Sequence, residues 1–147
     1  MALLLALPLV ALSVLHLYWA AGGRWGSTAV VPTQPPRDGA PEAPVFTPGP
    51  LATVAVGLAL AAAAWIVLGA SAIVAWPFPR VLAQVGMWGI AAVFLLRAVG
   101  DFRNVGITRR IWDTTFARLD STVYTPLCAV LGGLALAVAW LAPSGGL

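Results

Sequence analysis

Lysine is missing from this sequence, cysteine and histidine occur once each, and charged residues make up only 9% of the 147 positions. Each scarcity excludes something. A soluble domain of this length carries about 25% charged residues. A chain with 61% hydrophobic residues has too little polar surface to cover a water-soluble globule, and hydrocarbon is the solvent that suits it. One cysteine, Cys128, cannot form an intramolecular disulfide or a cysteine-based metal cage. One histidine without clustered carboxylates leaves a three-ligand zinc site incomplete, so neither a metal nor a cofactor is expected. Arg supplies all eight basic side chains, which reads as a GC-rich coding bias and a bacterial source. The net charge of +3 is scattered, with none of the basic blocks that bind nucleic acid.

Long apolar runs are what the chain has instead. A spanning helix needs about 20 apolar residues, and the segments at about 2–21, 51–76, 81–99 and 123–142 qualify. Together they predict an all-α integral membrane four-helix bundle, a single domain over residues 1–147. The first segment lacks a positive n-region and carries His16-Leu17-Tyr18-Trp19 where small residues precede a cleavage site. It therefore reads as a permanent helix rather than a signal peptide. The connection 22–50 holds seven of the twelve prolines, a density that opposes regular structure and predicts an extended or partly disordered loop. Trp76-Pro77-Phe78-Pro79-Arg80 predicts a tight hairpin. In the Arg-rich third connection, Trp112, Phe116 and Leu119 recur at helical spacing opposite Arg110 and Asp113. That pattern fits either a short helix in the membrane interface or a simple loop.

Orientation follows from the arginines. Arg24, Arg37, Arg103, Arg109, Arg110 and Arg118 lie in the first and third connections, and Arg80 in the second. This bias predicts both long connections in the cytoplasm and both termini outside, in a bacterial inner membrane. Trp19, Trp25 and Trp112 fall at the arginine-rich interface and Trp76 and Trp140 at the other, as aromatic belts do. Ala129, Gly133 and Ala137 form a small-residue stripe, and Gly57 pairs with Ala61. Such stripes let helices approach closely in lipid.

Polar residues concentrate at one level. His16, Tyr18 and Trp19 end the first helix. Arg97 and Asp101 end the third, followed by Arg103, and Asp120 and Tyr124 open the fourth. Alternating helices bring all of these ends to the same membrane side. Arg97 and Asp101, spaced i, i+4, are expected to share a face and pair. His16 is expected to face the same interior, bonded to a neighbouring helix or acting as a proton or ligand group. Structural pairing is the simpler reading of each. Intramembrane ionisable residues are functional candidates all the same. No catalytic residue is assignable: Ser13 and Ser71 have no histidine in register, and Gly22-Gly23-Arg24-Trp25-Gly26 follows a helix instead of opening one after a strand.

Four stretches resemble the recurring motifs of a bacterial membrane family catalogued as domain of unknown function 3995. They are His16-Leu17-Tyr18-Trp19-Ala20-Ala21-Gly22-Gly23, Arg97-Ala98-Val99-Gly100-Asp101-Phe102-Arg103, Phe116-Ala117-Arg118-Leu119-Asp120 and Tyr124-Thr125-Pro126-Leu127-Cys128. The resemblance spans nearly the whole chain, with Gly-Asp-Phe-Arg its most specific part and Asn104 standing where an aromatic is expected. It implies the four-helix fold and carries no activity. The residues themselves favour a non-enzymatic bundle that binds a lipid, a small apolar ligand or a partner membrane protein through the polar layer. The alternative is a membrane-embedded enzyme acting on an isoprenoid- or quinone-like lipid, with His16 or Asp101 moving a proton. In that scheme Arg97 and Arg103 hold an anionic head and Tyr124 donates a hydrogen bond. A subunit of a small transporter or channel ranks third.

Overall fold

A computed structural model describes residues 1–36 and 40–141. Its helices are α1 (Ala2–Ala20), α2 (Pro50–Ala70), α3 (Arg80–Val99), the short α4 (Thr115–Leu119) and α5 (Thr125–Leu141). A π-helical turn, Asp120–Tyr124, joins the last two. The stretch Thr115–Leu141 therefore runs as one span, and among the described residues four helices are long and apolar enough to cross a membrane. This is a multi-pass membrane protein with an all-α bundle.

Packing is pairwise. α1 lies mainly on α2 and α3 on α5, α2 and α3 join the pairs, and α1 also touches α5. The core is built from Leu5, Leu9, Val67, Met87, Leu131 and Ala135, with alanines and glycines letting the helices close in. A buried hydrogen bond from Ser13 Oγ to the Gly57 carbonyl (2.8 Å) pins α1 to α2. Gly57 fits under Leu17 and the Cβ of His16, whereas Ala61 is exposed. The expected stripe on the last helix is displaced by one position. Gly133 has open space around it, and its neighbour Gly132 lies against Leu95 of α3.

Helix ends also differ from the hydropathy reading. α2 stops at Ala70, six residues before Trp76. The Ile73 N–H bonds the Leu68 carbonyl (2.9 Å) and the Ala72 N–H bonds the Gly69 carbonyl (3.1 Å). This pattern closes a helix with its C′ residue in the left-handed region, and Ala72 (φ 54°) fills that place. The apolar residues 72–76 then fold back, so that Trp76 packs against Trp65 and Phe78. The separate interfacial helix is absorbed: α4 continues through the π turn into the last span.

The Pro-rich connection is more ordered than its composition predicts. Thr33–Gln34 pairs antiparallel with Ala43–Pro44 in a two-stranded ribbon, β1 and β2. Glu42 ties this ribbon to the start of α4, accepting from Thr33 Oγ1 (2.8 Å) and from the Thr115 N–H (3.0 Å). Those donors hold the Glu42 carboxyl below its ordinary range. Arg37 and Asp38 lie outside the described residues.

Candidate functional site

The centre of the polar layer is Asp120, which is 0% exposed. Its Oδ1 accepts from Arg97 Nη2 (2.8 Å). Its Oδ2 accepts from Arg109 Nη1 (2.6 Å), the Gly106 N–H (2.8 Å) and Thr125 Oγ1 (3.0 Å). The π turn sets this geometry, because i→i+5 winding brings Thr125 under Asp120, which ordinary α winding would not. Arg109, 6% exposed, also donates to the Gly106 carbonyl (3.0 Å) and to Ser121 Oγ. Its guanidinium lies 4.3 Å from the Trp112 ring centroid. Gly100 (φ 101°) and Gly106 (φ 78°) pack backbone to backbone, and a Cβ on either would strike the other strand of the loop. That close approach lets the loop reach Asp120.

Asp101 does different work. α3 ends at Val99, and Gly100 turns the chain away before Asp101 is reached. Exposed at the surface, Asp101 accepts through Oδ1 from the N–H groups of Arg103 (2.9 Å), Asn104 (2.6 Å) and Val105 (3.0 Å). Oδ2 accepts from Asn104 Nδ2 (3.0 Å). Partial burial opposes ionisation, but the Val105, Asn104 and Arg103 donors outweigh it and hold the carboxyl well below the usual range.

A family model described as protein of unknown function (DUF3995) matches residues 9–135. The chain belongs to the DUF3995 family. No curated protein and no solved structure matches it. The matched stretch of this DUF3995 chain includes every residue of the Asp120 hub and stops short of both ends of the bundle.

Among the eight residues expected to form one layer, the structure joins Arg97 with Asp120 in an ion pair and His16 with Trp19 edge-on, and gives the others separate contacts. The expected Arg97–Asp101 pair does not form, since Gly100 removes Asp101 from the helix face and Arg97 reaches Asp120 instead. His16 is not bonded to a neighbouring helix. Its Nδ1 donates to the Leu12 carbonyl of its own helix (2.7 Å), and its ring lies edge-on to Trp19. Tyr18 and Trp19 secure the loop that follows α1: Tyr18 OH accepts from the Trp25 N–H (3.3 Å), and Trp19 Nε1 donates to the Trp25 carbonyl (2.8 Å). Tyr124 OH donates to the Ala29 carbonyl (3.1 Å). Arg103 is exposed. The second cation of the hub, Arg109, was not singled out by the sequence. Its signal was indirect: it lies in the arginine-rich connection between α3 and Asp120.

Among the described residues, the opposite end of this DUF3995 bundle is open. The starts of α1 and α3 and the ends of α2 and α5 surround a funnel of about 980 Å³, lined by Leu4, Ala72, Arg80, Ala83, Gln84 and Val138 among others. Arg80 Nη1 donates to the Gly69 carbonyl (3.1 Å), and Gln84 Nε2 donates to the Ala139 carbonyl. Pro8 lies inside α1 and has no N–H, so the Leu4 carbonyl, which points along the helix toward Pro8, lacks its i+4 helical donor.

Proposed function

We propose that this membrane protein is a non-enzymatic binder that holds a lipid-like amphiphile, its apolar body lodged in the funnel at the arginine-poor end. The observation that supports this is the funnel itself. Its volume lies in the range of ligand sites, and its mostly apolar wall with a few polar groups is the composition such sites have. Arg80 has one guanidinium nitrogen on Gly69 and further donors without a partner among the described residues. It supplies a cationic point at the rim for a headgroup. The Asp120 hub at the other end then serves as a lock for the loops.

The enzymatic alternative finds less support. Acid–base work needs a group within about 3 Å of the reacting atom. Asp120 has protein donors on both oxygens, Asp101 is held by its own turn, and His16 Nδ1 is committed to Leu12. The test is native mass spectrometry of the full chain extracted from membranes. A retained lipid-sized mass is expected. It should fall with Leu4→Trp, which narrows the mouth from an exposed position, and with Arg80→Gln. A wild-type protein that carries nothing, or equal retention in Leu4→Trp, overturns the reading.

A further inference from the structure

The loop after α3 presents a second, separate arrangement at the arginine-rich end. It is firmly built on the helix it follows. The N–H groups of Ile107 and Thr108 bond the Ala98 and Val99 carbonyls (2.9 and 3.0 Å), so the last carbonyls of α3 do not claim guanidinium donors. Within this loop, the Arg103 carbonyl accepts from the N–H groups of Arg110 (3.0 Å) and Ile111 (3.2 Å). That pairing holds Arg103 and Arg110 on adjacent backbone positions. Both are exposed, and neither guanidinium has a carboxylate or hydrogen-bond partner among the described residues, where both ion pairs belong to Asp120.

Apolar side chains flank the two cations. Phe102 is 63% exposed and Ile107 68% exposed. Phe102 has φ 62°, a conformation that is strained for a bulky residue. The four donors on Asp101 hold the turn in which Phe102 is kept there. A strained, outward aromatic beside two unpaired arginines at the end of a spanning helix has the chemistry of a headgroup contact. Guanidinium groups match phosphate oxygens in a fork, and aromatic and aliphatic tips settle at the level of the headgroups.

We propose that Arg103 and Arg110 form a phosphate site for an anionic bilayer phospholipid, with Phe102 and Ile107 as its apolar anchors in the interface. A free phosphate offers the arginines the same oxygens. The exposed apolar pair favours the lipid, because only a lipid brings acyl surface with it. Asp101 and Asp113 lie in the same loop and temper the field. Asp101, however, is turned to its own amides, and Asp113 makes no ion pair with either arginine.

The test uses the full chain in nanodiscs of phosphatidylcholine containing phosphatidylglycerol, followed by native mass spectrometry of the lipids that remain bound. Wild type is expected to retain phosphatidylglycerol in preference. The Arg103→Gln/Arg110→Gln variant should lose roughly thirty-fold of that preference, from two interfacial arginines, with unchanged melting. Arg24→Gln should keep it. Adding inorganic phosphate should not displace the lipid, and its competing on equal terms would overturn the lipid assignment. If the double variant fails to fold, Arg103→Lys/Arg110→Lys replaces it. That variant keeps the charge and loses the fork, so an intermediate preference is expected. The preference should persist in Leu4→Trp, which separates this site from the funnel. Equal retention of both lipids by wild type, or an unchanged preference in the substituted proteins, sinks the proposal.

Discussion

Asp120 and Asp101 carry the same charge and have opposite fates because of their surroundings. Asp120 is sealed from solvent and pairs with two guanidinium groups, leaving the hub with one net positive charge. Removing a partner from such a buried set costs about 3–5 kcal/mol, so Asp120→Ala should lower the melting temperature in detergent severely. Asp101 accepts as many hydrogen bonds, but at the surface, where water can replace it. Its loss resembles that of a helix-capping side chain and should cost about 1 kcal/mol. Thermal melting of the two variants side by side checks this, and equal destabilisation would contradict a closed hub. The sequence made Arg97 and Asp120 visible as ionisable residues near helix ends. It did not show that they meet, because residues 23 positions apart are joined only by the way α3 and α5 pack.

The glycines of α5 show how one helical position separates contact from open space. Ala is favoured over Gly in a helix by about 1 kcal/mol, and that gain applies equally at 132 and 133. At Gly132 an added Cβ would lie 2.7 Å from Leu95 Cγ and 3.0 Å from the Leu95 backbone nitrogen, whereas at Gly133 it would meet nothing within 4 Å. Gly133→Ala should therefore be neutral or stabilising. Gly132→Ala should force α3 and α5 apart and lose about 1–3 kcal/mol, read as a drop in melting temperature. The ribbon offers a pH test of the same scale. The Glu42 carboxyl is depressed first by the Thr115 N–H, then by Thr33. Its contribution is therefore fully present above the ordinary glutamate value and is lost as the pH falls through the lower folded value. Hydrogen exchange of the ribbon amides should rise in that acid window in wild type. In Glu42→Gln the acid-induced rise should be absent, and an identical pH response in both proteins would contradict the docking.

Across the whole molecule, the uneven arginines continue to predict both termini outside and both long connections in the cytoplasm. Reporter fusions placed after Leu141 should be active only in the form that works outside the cytoplasm, and cytoplasmic activity there would reverse the orientation. The funnel and the Arg103–Arg110 loop would then exchange compartments with their geometry unchanged. The number of spans was determined by the sequence alone, because hydrocarbon imposes a length of apolar chain on each helix that crosses it. Pairing was not, and neither was the choice between Gly132 and Gly133 or the opening at the far end. Lipid treats all apolar faces of a helix nearly alike, so composition carries little information about which face meets which. That is decided when the helices close on one another, where a glycine admits a neighbour, a left-handed residue ends a span, and a π turn brings Asp120 to two arginines from another part of the chain.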